Sequence, residues 1–166
     1  MLRSLGIALN EVVVALLDIP RSSKNLFRFA LFLSAGTTAA LLLITATPLS
    51  GIWFRYVSAL DLPLAQLAQK GIWIALPLPA LSVMQSWYQG AILYGRKTQG
   101  ITESVVIYLL TSAITLGIGV WLASIAGLYV GLFSLTLSVA MQTIWLWIRS
   151  RPVLAQLKER DFLTVE

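Results

Sequence analysis

A polar row follows two prolines inside an apolar stretch, and these residues have the types and spacing that could do chemistry. Pro77 and Pro79 precede Ser82, Gln85 and Gln89 in a run from residue 71 to 95 that has no charged side chain. A helix places the three polar residues on one face. Each proline breaks the helix, and the carbonyls it frees need neighbouring helices, hydroxyls or water. Broken membrane helices are typical of transporter sites, so the polar row is a candidate lining for a substrate path.

The same polar side chains also have a structural interpretation. Amides and hydroxyls form hydrogen bonds between membrane helices, each worth roughly 0.6 to 2 kcal/mol. The sequence has no His and no Cys, which excludes the Ser-His-Asp and Cys-His arrangements and the usual zinc ligands. It also lacks a Gly-rich phosphate loop and a carboxylate pair. We therefore expect no catalytic residue, no metal site and no cofactor.

The composition predicts that lipid surrounds most of the chain. Of 166 residues, 58% are hydrophobic and 11% are charged, whereas a soluble domain has about 25% charged residues. The net charge of +5 could suggest nucleic acid, but the basic residues stand at the ends of apolar runs. Membrane topology explains that placement, so the expected partner is the lipid bilayer and not nucleic acid.

Long uncharged runs predict four transmembrane helices, because a hydrocarbon core of about 30 Å needs about 20 helical residues. The first span is 29–54 and the second is 71–95. Residues 104–148 lack charge throughout and are about twice as long as one span needs, which predicts a hairpin of 101–123 and 127–148. The fold class is an all-α membrane protein, a bundle of four transmembrane helices.

The two ends of the chain flank these spans. Residues 1–20 are apolar but interrupted by Asn10, Glu11 and Asp18, which favours an amphipathic or partial helix. This helix can lie at the interface, pack on the bundle or form the inner end of a further span, and a cleavable signal peptide fits poorly. Residues 149–166 are expected to be a cytoplasmic tail with a short interfacial helix.

Charge asymmetry predicts the orientation of the chain. With the N-terminus in the cytoplasm, ten of the 12 Lys and Arg residues lie inside, and Arg55 and Lys70 lie outside. This bias places both the N- and C-termini in the cytoplasm. The expected location is the plasma (inner) membrane, with multi-pass topology.

Small residues recur at helical spacing along the last two spans. The helix-packing candidates are Thr111, Thr115 and Gly119 on the third span and Gly127, Gly131, Ser134 and Ser138 on the fourth. Such rows let membrane helices approach closely. We expect the two rows to face each other in the hairpin, with an interface between two copies as the alternative.

Two acidic residues mark predicted helix starts. Glu103 follows the basic turn at Arg96 and Lys97, and we expect it to stabilise the helix N-terminus or to pair with one of these cations. Asp61 precedes Pro63 in the loop between the first two spans. It is the expected N-cap of a short surface helix.

The end of the second span resembles a known family. Residues 89–98 read QGAILYGRKT. They follow a basic break, an apolar span, a short outer loop and a proline-containing span, and a two-span hairpin with a basic end comes next. This order resembles part of a half-repeat of the multidrug/oligosaccharidyl-lipid/polysaccharide exporter superfamily, from about residue 8 to 152. The resemblance implies about twelve spans in two halves around a central cavity.

Four spans cannot enclose such a cavity, so partners are expected. The sequence predicts a truncated or split member or subunit of a lipid-linked saccharide or drug exporter, assembled as a homo-oligomer or with other membrane subunits. The alternative is a small four-helix membrane scaffold or regulatory subunit that transports nothing. Neither function is that of an enzyme.

Overall fold

A computed structural model describes residues 12–16, 22–47, 61–96, 98–122 and 127–163. Helix α1 is Ser22–Ala46, α2 is Leu62–Ala75, α3 is Leu78–Tyr94, α4 is Gln99–Leu122 and α5 is Gly127–Leu163. Residues 12–16 add a short helical stretch, and the described residues contain no strand. The prediction of an all-helical chain is confirmed for this part of the sequence.

Four helical segments are long and apolar enough to cross a membrane, as the sequence predicts. They are Lys24–Ala46, Leu64–Tyr94, Gln99–Leu122 and Gly127–Asp161. Large apolar side chains such as Phe32, Val120 and Trp121 are 77–85% exposed on these helices. A water-soluble bundle would cover most of this surface, whereas lipid is a suitable solvent for it.

The second predicted span consists of two helices. The first begins at Leu62, with Asp61 at the N-cap position and proline in its first turn, so much of the expected loop is helical. The Asp61 side chain makes no capping hydrogen bond, while its carbonyl accepts the Ala65 N–H at 2.9 Å. A turn at residues 76–77 separates α2 from α3. The helix therefore breaks where prolines remove two backbone donors in close succession.

Helix α5 is the centre of the fold, since it packs against α2, α3 and α4 and also touches α1. It continues past residue 148, the expected end of the fourth span, and passes through Pro152 without a break. Its 37 residues measure about 55 Å at about 1.5 Å per residue. The first part of the expected tail is thus a continuation of the membrane helix.

Buried apolar side chains explain why α5 continues. One cluster joins the 12–16 stretch, α1, α3 and the end of α5, and its members are Val13, Leu26, Ala30, Val83, Trp87, Ala91, Val153 and Leu157. The Phe27 ring packs on Trp87 with centroids 5.5 Å apart. Burial of Val153 and Leu157 on one face stabilises the helical extension. Val13 places residues 12–16 on the bundle, while Asn10, Glu11 and Asp18 lie outside the described residues.

Glycines on α2, on α4 and just after α3 mark close approaches to α5. They are Gly71 against Leu132, Gly95 against Val153, Gly100 against Arg149 and Gly119 against Val130. A Cβ at Gly71 would lie 2.8 Å from the Leu132 Cδ1 atom, and one at Gly119 would overlap the Val130 side chain. Absence of a side chain at these positions lets α2, α3 and α4 reach the central helix.

Candidate functional site

Helix α3 carries the polar row that follows the proline break. Ser82 is buried, and its hydroxyl donates to the Pro79 carbonyl at 2.8 Å. Ser86 is also buried and donates to the Ser82 carbonyl at 3.0 Å. Gln85 and Gln89 are half-buried. The row therefore divides into hydroxyls bonded within their own helix and two amides at the edge of the buried face.

The two amides are the part of this row that is still able to bind. Neither Gln85 nor Gln89 makes a side-chain hydrogen bond within the described part of the chain. Each amide has two N–H donors and an acceptor oxygen. Burying such a group in hydrocarbon without a partner is costly. A partner at this position has to come from water, a substrate or another helix.

A hydroxyl of α5 reaches the proline break. Thr136 donates to the Ile74 carbonyl at 3.1 Å, in the last turn of α2. In a continuous helix this carbonyl would accept the Leu78 N–H, but the turn at residues 76–77, where the prolines break the helix, separates the two groups. The sequence predicts that a neighbouring helix or a hydroxyl satisfies carbonyls freed at the break. The spacing of residues along the chain does not identify Thr136 as that partner.

The two small-residue rows meet at one hydroxyl pair. The Thr115 and Ser134 hydroxyl oxygens are 2.6 Å apart. The Ser134 hydroxyl also donates to the Ser112 carbonyl at 3.3 Å, and the Thr115 hydroxyl donates to the Thr111 carbonyl at 2.7 Å. The contacts of Ser134 join α4 to α5 within one chain.

The close backbone approach in this hairpin uses a different glycine from the Gly-x-x-x-Gly segment. Gly127 and Gly131 have no atom within 4 Å of where a Cβ would stand, whereas Gly119 receives the Val130 side chain. Ser138 is buried, and its hydroxyl donates within its own helix at 2.7 Å. The Val130 side chain of α5 fills the space that Gly119 leaves on α4, so this contact pairs a small residue with a branched one rather than two small residues.

Glu103 connects α4 to Arg149 and Trp145 of α5. Its Oε1 atom accepts a hydrogen bond from the Arg149 guanidinium at 2.5 Å, and its Oε2 atom accepts one from Trp145 Nε1 at 3.1 Å. The expected pairing with Arg96 does not occur among the described contacts, and Lys97 lies outside the described residues. The hairpin brings Arg149 back to the level of Glu103. The two residues are 46 positions apart, so their spacing in the sequence does not predict this contact.

An open cleft of about 610 Å³ lies between the α3–α4 turn and α5. Its lining residues are Arg96, Thr98, Gln99, Gly100, Ile148, Arg149 and Pro152. A second cleft of about 380 Å³ adjoins it, and Arg96 lines both. The polar row of α3 lines neither cleft.

Arg96 has an unusual backbone conformation at the junction of these clefts. Its φ angle is 54°, in the left-handed region, while that of the preceding Gly95 is −72°. Glycine usually takes the left-handed position after a helix. Here Gly95 packs against Val153, where an added Cβ would lie 2.5 Å from the Cγ2 atom. The close approach uses the glycine, and the arginine adopts the conformation that costs a non-glycine residue about 1 kcal/mol.

No family model, curated protein or solved structure matches this chain. Among the described residues, no three acidic side chains come close enough together to hold a metal ion. Within the described part of the chain, the features able to bind are thus the two amides of α3 and the cationic cleft beside residues 148–152 of α5.

Proposed function

We propose that the chain is one part of a membrane exporter for lipid-linked saccharides or drugs and works together with further transmembrane helices. The observation that carries this proposal is the pair Gln85 and Gln89. These amides follow a proline break directly and have no partner among the described residues. In an assembly, their side of α3 borders a polar path between two lobes.

The sequence order supports the same class of function. The 89–98 segment and the following hairpin resemble part of an exporter half-repeat. The excess of basic residues on one side supports cytoplasmic termini in the plasma (inner) membrane. A second copy of the chain or another membrane subunit supplies the opposite wall of the path.

A membrane scaffold without transport is the second candidate function. The hydroxyls of Ser82 and Ser86 bond within α3, and Thr136 joins α5 to Ile74 of α2. These bonds favour the scaffold because they satisfy the polar groups inside the fold and leave none of them for a path. On this interpretation, Gln85 and Gln89 bond to a partner helix.

Loss of the two amides separates these functions. Cells without the chromosomal copy receive the wild-type gene, Gln85→Leu/Gln89→Leu, or Ser82→Ala/Ser86→Ala as a matched control. Ethidium efflux and outward exposure of lipid-linked saccharide are measured, together with the amount of protein in the membrane. Export predicts that the leucine variant loses one of these activities at unchanged membrane level and that the control keeps it. Equal activity in all three strains contradicts export and favours the scaffold.

Orientation has an independent test, because the sequence contains no cysteine. Single variants Ser58→Cys and Lys158→Cys are treated in intact cells with a membrane-impermeant maleimide. With both termini in the cytoplasm, the thiol introduced at position 58 reacts and the one at position 158 reacts only after lysis. Labelling of position 158 in intact cells would reverse the orientation.

A further inference from the structure

We infer that the cleft between the α3–α4 turn and α5 binds the phosphate group of an anionic phospholipid from the surrounding leaflet. Two arginines, Arg96 and Arg149, line this cleft. Its volume of about 610 Å³ is within the range of about 300–1,000 Å³ that is usual for small-molecule sites. This inference does not depend on export activity.

Arg96 supplies an uncommitted cation. Its side chain is exposed and makes no ion pair or hydrogen bond within the described part of the chain. The left-handed φ of 54° positions it at the turn where both clefts meet. Strained backbone often occurs where a side chain has to reach a ligand. A guanidinium offers five N–H donors in a planar fork that matches phosphate oxygens.

Arg149 is the second cation, and its orientation is fixed. One of its terminal nitrogens donates to Glu103, whose other oxygen accepts the Trp145 N–H. The carboxylate offsets part of the positive charge, but the remaining guanidinium N–H groups are free of that bond. The Arg149 side chain is 44% exposed beside the cleft. The cleft therefore combines one arginine held by Glu103 and one that has no partner among the described residues.

The position of the cleft along α5 identifies the source of the phosphate. The uncharged run ends at Ile148, and Arg151 stacks on the Trp147 ring at 3.8 Å. Tryptophans followed by arginines are typical of the level of the lipid headgroups. Ile148 and Pro152 give the cleft apolar walls beside its cations, which suits a glycerophosphate joined to acyl chains. Basic pockets between membrane helices select anionic headgroups for this reason.

Lipid retention by the purified full chain tests the site. Wild type, Arg96→Asn and Arg151→Asn are delipidated in detergent, incubated with equal amounts of phosphatidylglycerol and phosphatidylcholine, and weighed by native mass spectrometry. Asparagine tolerates a left-handed backbone, so Arg96→Asn removes charge without adding strain. Arg151→Asn removes the same charge at the same end but outside the cleft. We expect Arg96→Asn to lower the preference for phosphatidylglycerol about fivefold and Arg151→Asn to leave it unchanged.

Two results would overturn the assignment. An equal loss in both variants would mean that general positive charge, rather than the cleft, attracts the lipid. Displacement of phosphatidylglycerol by an equal concentration of soluble glycerol phosphate would identify a water-soluble phosphate compound as the ligand. An Arg96→Lys variant keeps the charge, and its recovery of at least part of the preference shows that Arg96→Asn acts through charge rather than through misfolding.

Discussion

Helices α2 and α4 both pack on residues 128–136 of α5, but α2 ends at a proline break whereas α4 continues unbroken. Gly71 on α2 and Gly119 on α4 both give α5 room. Thr136 then bonds to α2, and Ser134 bonds to α4. On the α2 side the acceptor is a backbone carbonyl next to a proline break. On the α4 side the partner at 2.6 Å is the Thr115 hydroxyl of an unbroken helix.

We therefore expect the Thr136 and Ser134 bonds to contribute differently to the free energy of unfolding, although a hydroxyl of α5 makes both. An unbroken helix satisfies its own carbonyls, and the Thr115 hydroxyl also has the Thr111 carbonyl at 2.7 Å. The Ser134 contact therefore adds to groups that are already satisfied. The Ile74 carbonyl depends on Thr136, because the turn at residues 76–77 separates it from the Leu78 N–H that it would accept in a continuous helix. Removing a sole partner costs more than removing an additional one.

The largest expected effect concerns the glycine on the unbroken side. Gly119→Ala places a methyl group against Val130, whose β-branched side chain has little rotamer freedom. We expect a loss of about 1–3 kcal/mol in the free energy of unfolding. Gly71→Ala is expected to cost less, because it meets the mobile end of Leu132. Unfolding in mixed micelles, followed by tryptophan fluorescence, measures both variants.

Gly131→Ala is the matched control for these substitutions, since its Cβ meets no atom within 4 Å. It should leave stability unchanged or raise it slightly, because alanine favours a helix over glycine. A destabilisation by Gly131→Ala as large as that by Gly119→Ala would show that the Gly-x-x-x-Gly segment makes the close contact after all.

The hydroxyl on the broken side is expected to have the next largest effect. Thr136→Val keeps the shape of the side chain but leaves the Ile74 carbonyl without its donor, at a cost of about 1–3 kcal/mol. Thr143→Val is the control, because that buried hydroxyl donates to the Val139 carbonyl of its own helix. The same unfolding assay should give a cost well below that of Thr136→Val, and equal costs would remove the special role of the break.

Removing the two prolines tests whether this effect depends on the break. In a Pro77→Ala/Pro79→Ala background, α2 and α3 can join and bond the Ile74 carbonyl within one helix. Thr136→Val should then cost roughly 0.5 kcal/mol or less, so the double-mutant cycle gives a coupling of about 1 kcal/mol or more. Additive free energies would mean that Thr136 acts independently of the break.

The smallest expected effect is at the hydroxyl pair of the hairpin. Ser134→Ala should cost about 0.6 kcal/mol, the average for such a bond between membrane helices. The Thr115 hydroxyl keeps its bond to the Thr111 carbonyl in this variant. A cost for Ser134→Ala that exceeds the cost for Thr136→Val, measured in the same micelles, would invert the comparison of the two sides.

Residue types alone predict the features that depend on local chemistry. Two prolines in an apolar run predict the break at residues 76–77, and long uncharged runs predict four helices of membrane length. The hydroxyl contact between Thr115 and Ser134 lies where the two small-residue rows were expected to meet. In each case the signal is contained in one helix or one hairpin.

Features that depend on distant partners could not be predicted in the same way. Basic residues and Pro152 suggest an end to the fourth span, yet packing of Val153 and Leu157 keeps α5 helical. Glu103 finds Arg149 rather than the nearby Arg96, because the hairpin returns the later residue to its side. Periodicity shows which face of a helix is apolar, but tertiary packing determines which side chains meet there.

Because α5 is unbroken, a small rotation of the helix would move its C-terminal end by a much larger distance. From Ser138 to Arg160 the helix extends about 33 Å at about 1.5 Å per residue. A rotation of roughly 10° about Ser138 would displace Arg160 by about 6 Å, close to the rise of one helical turn. Arg160 bonds to the Tyr94 hydroxyl at 2.9 Å, at the end of α3. A small change of angle inside the membrane would therefore be amplified into relative sliding where the ends of α3 and α5 meet.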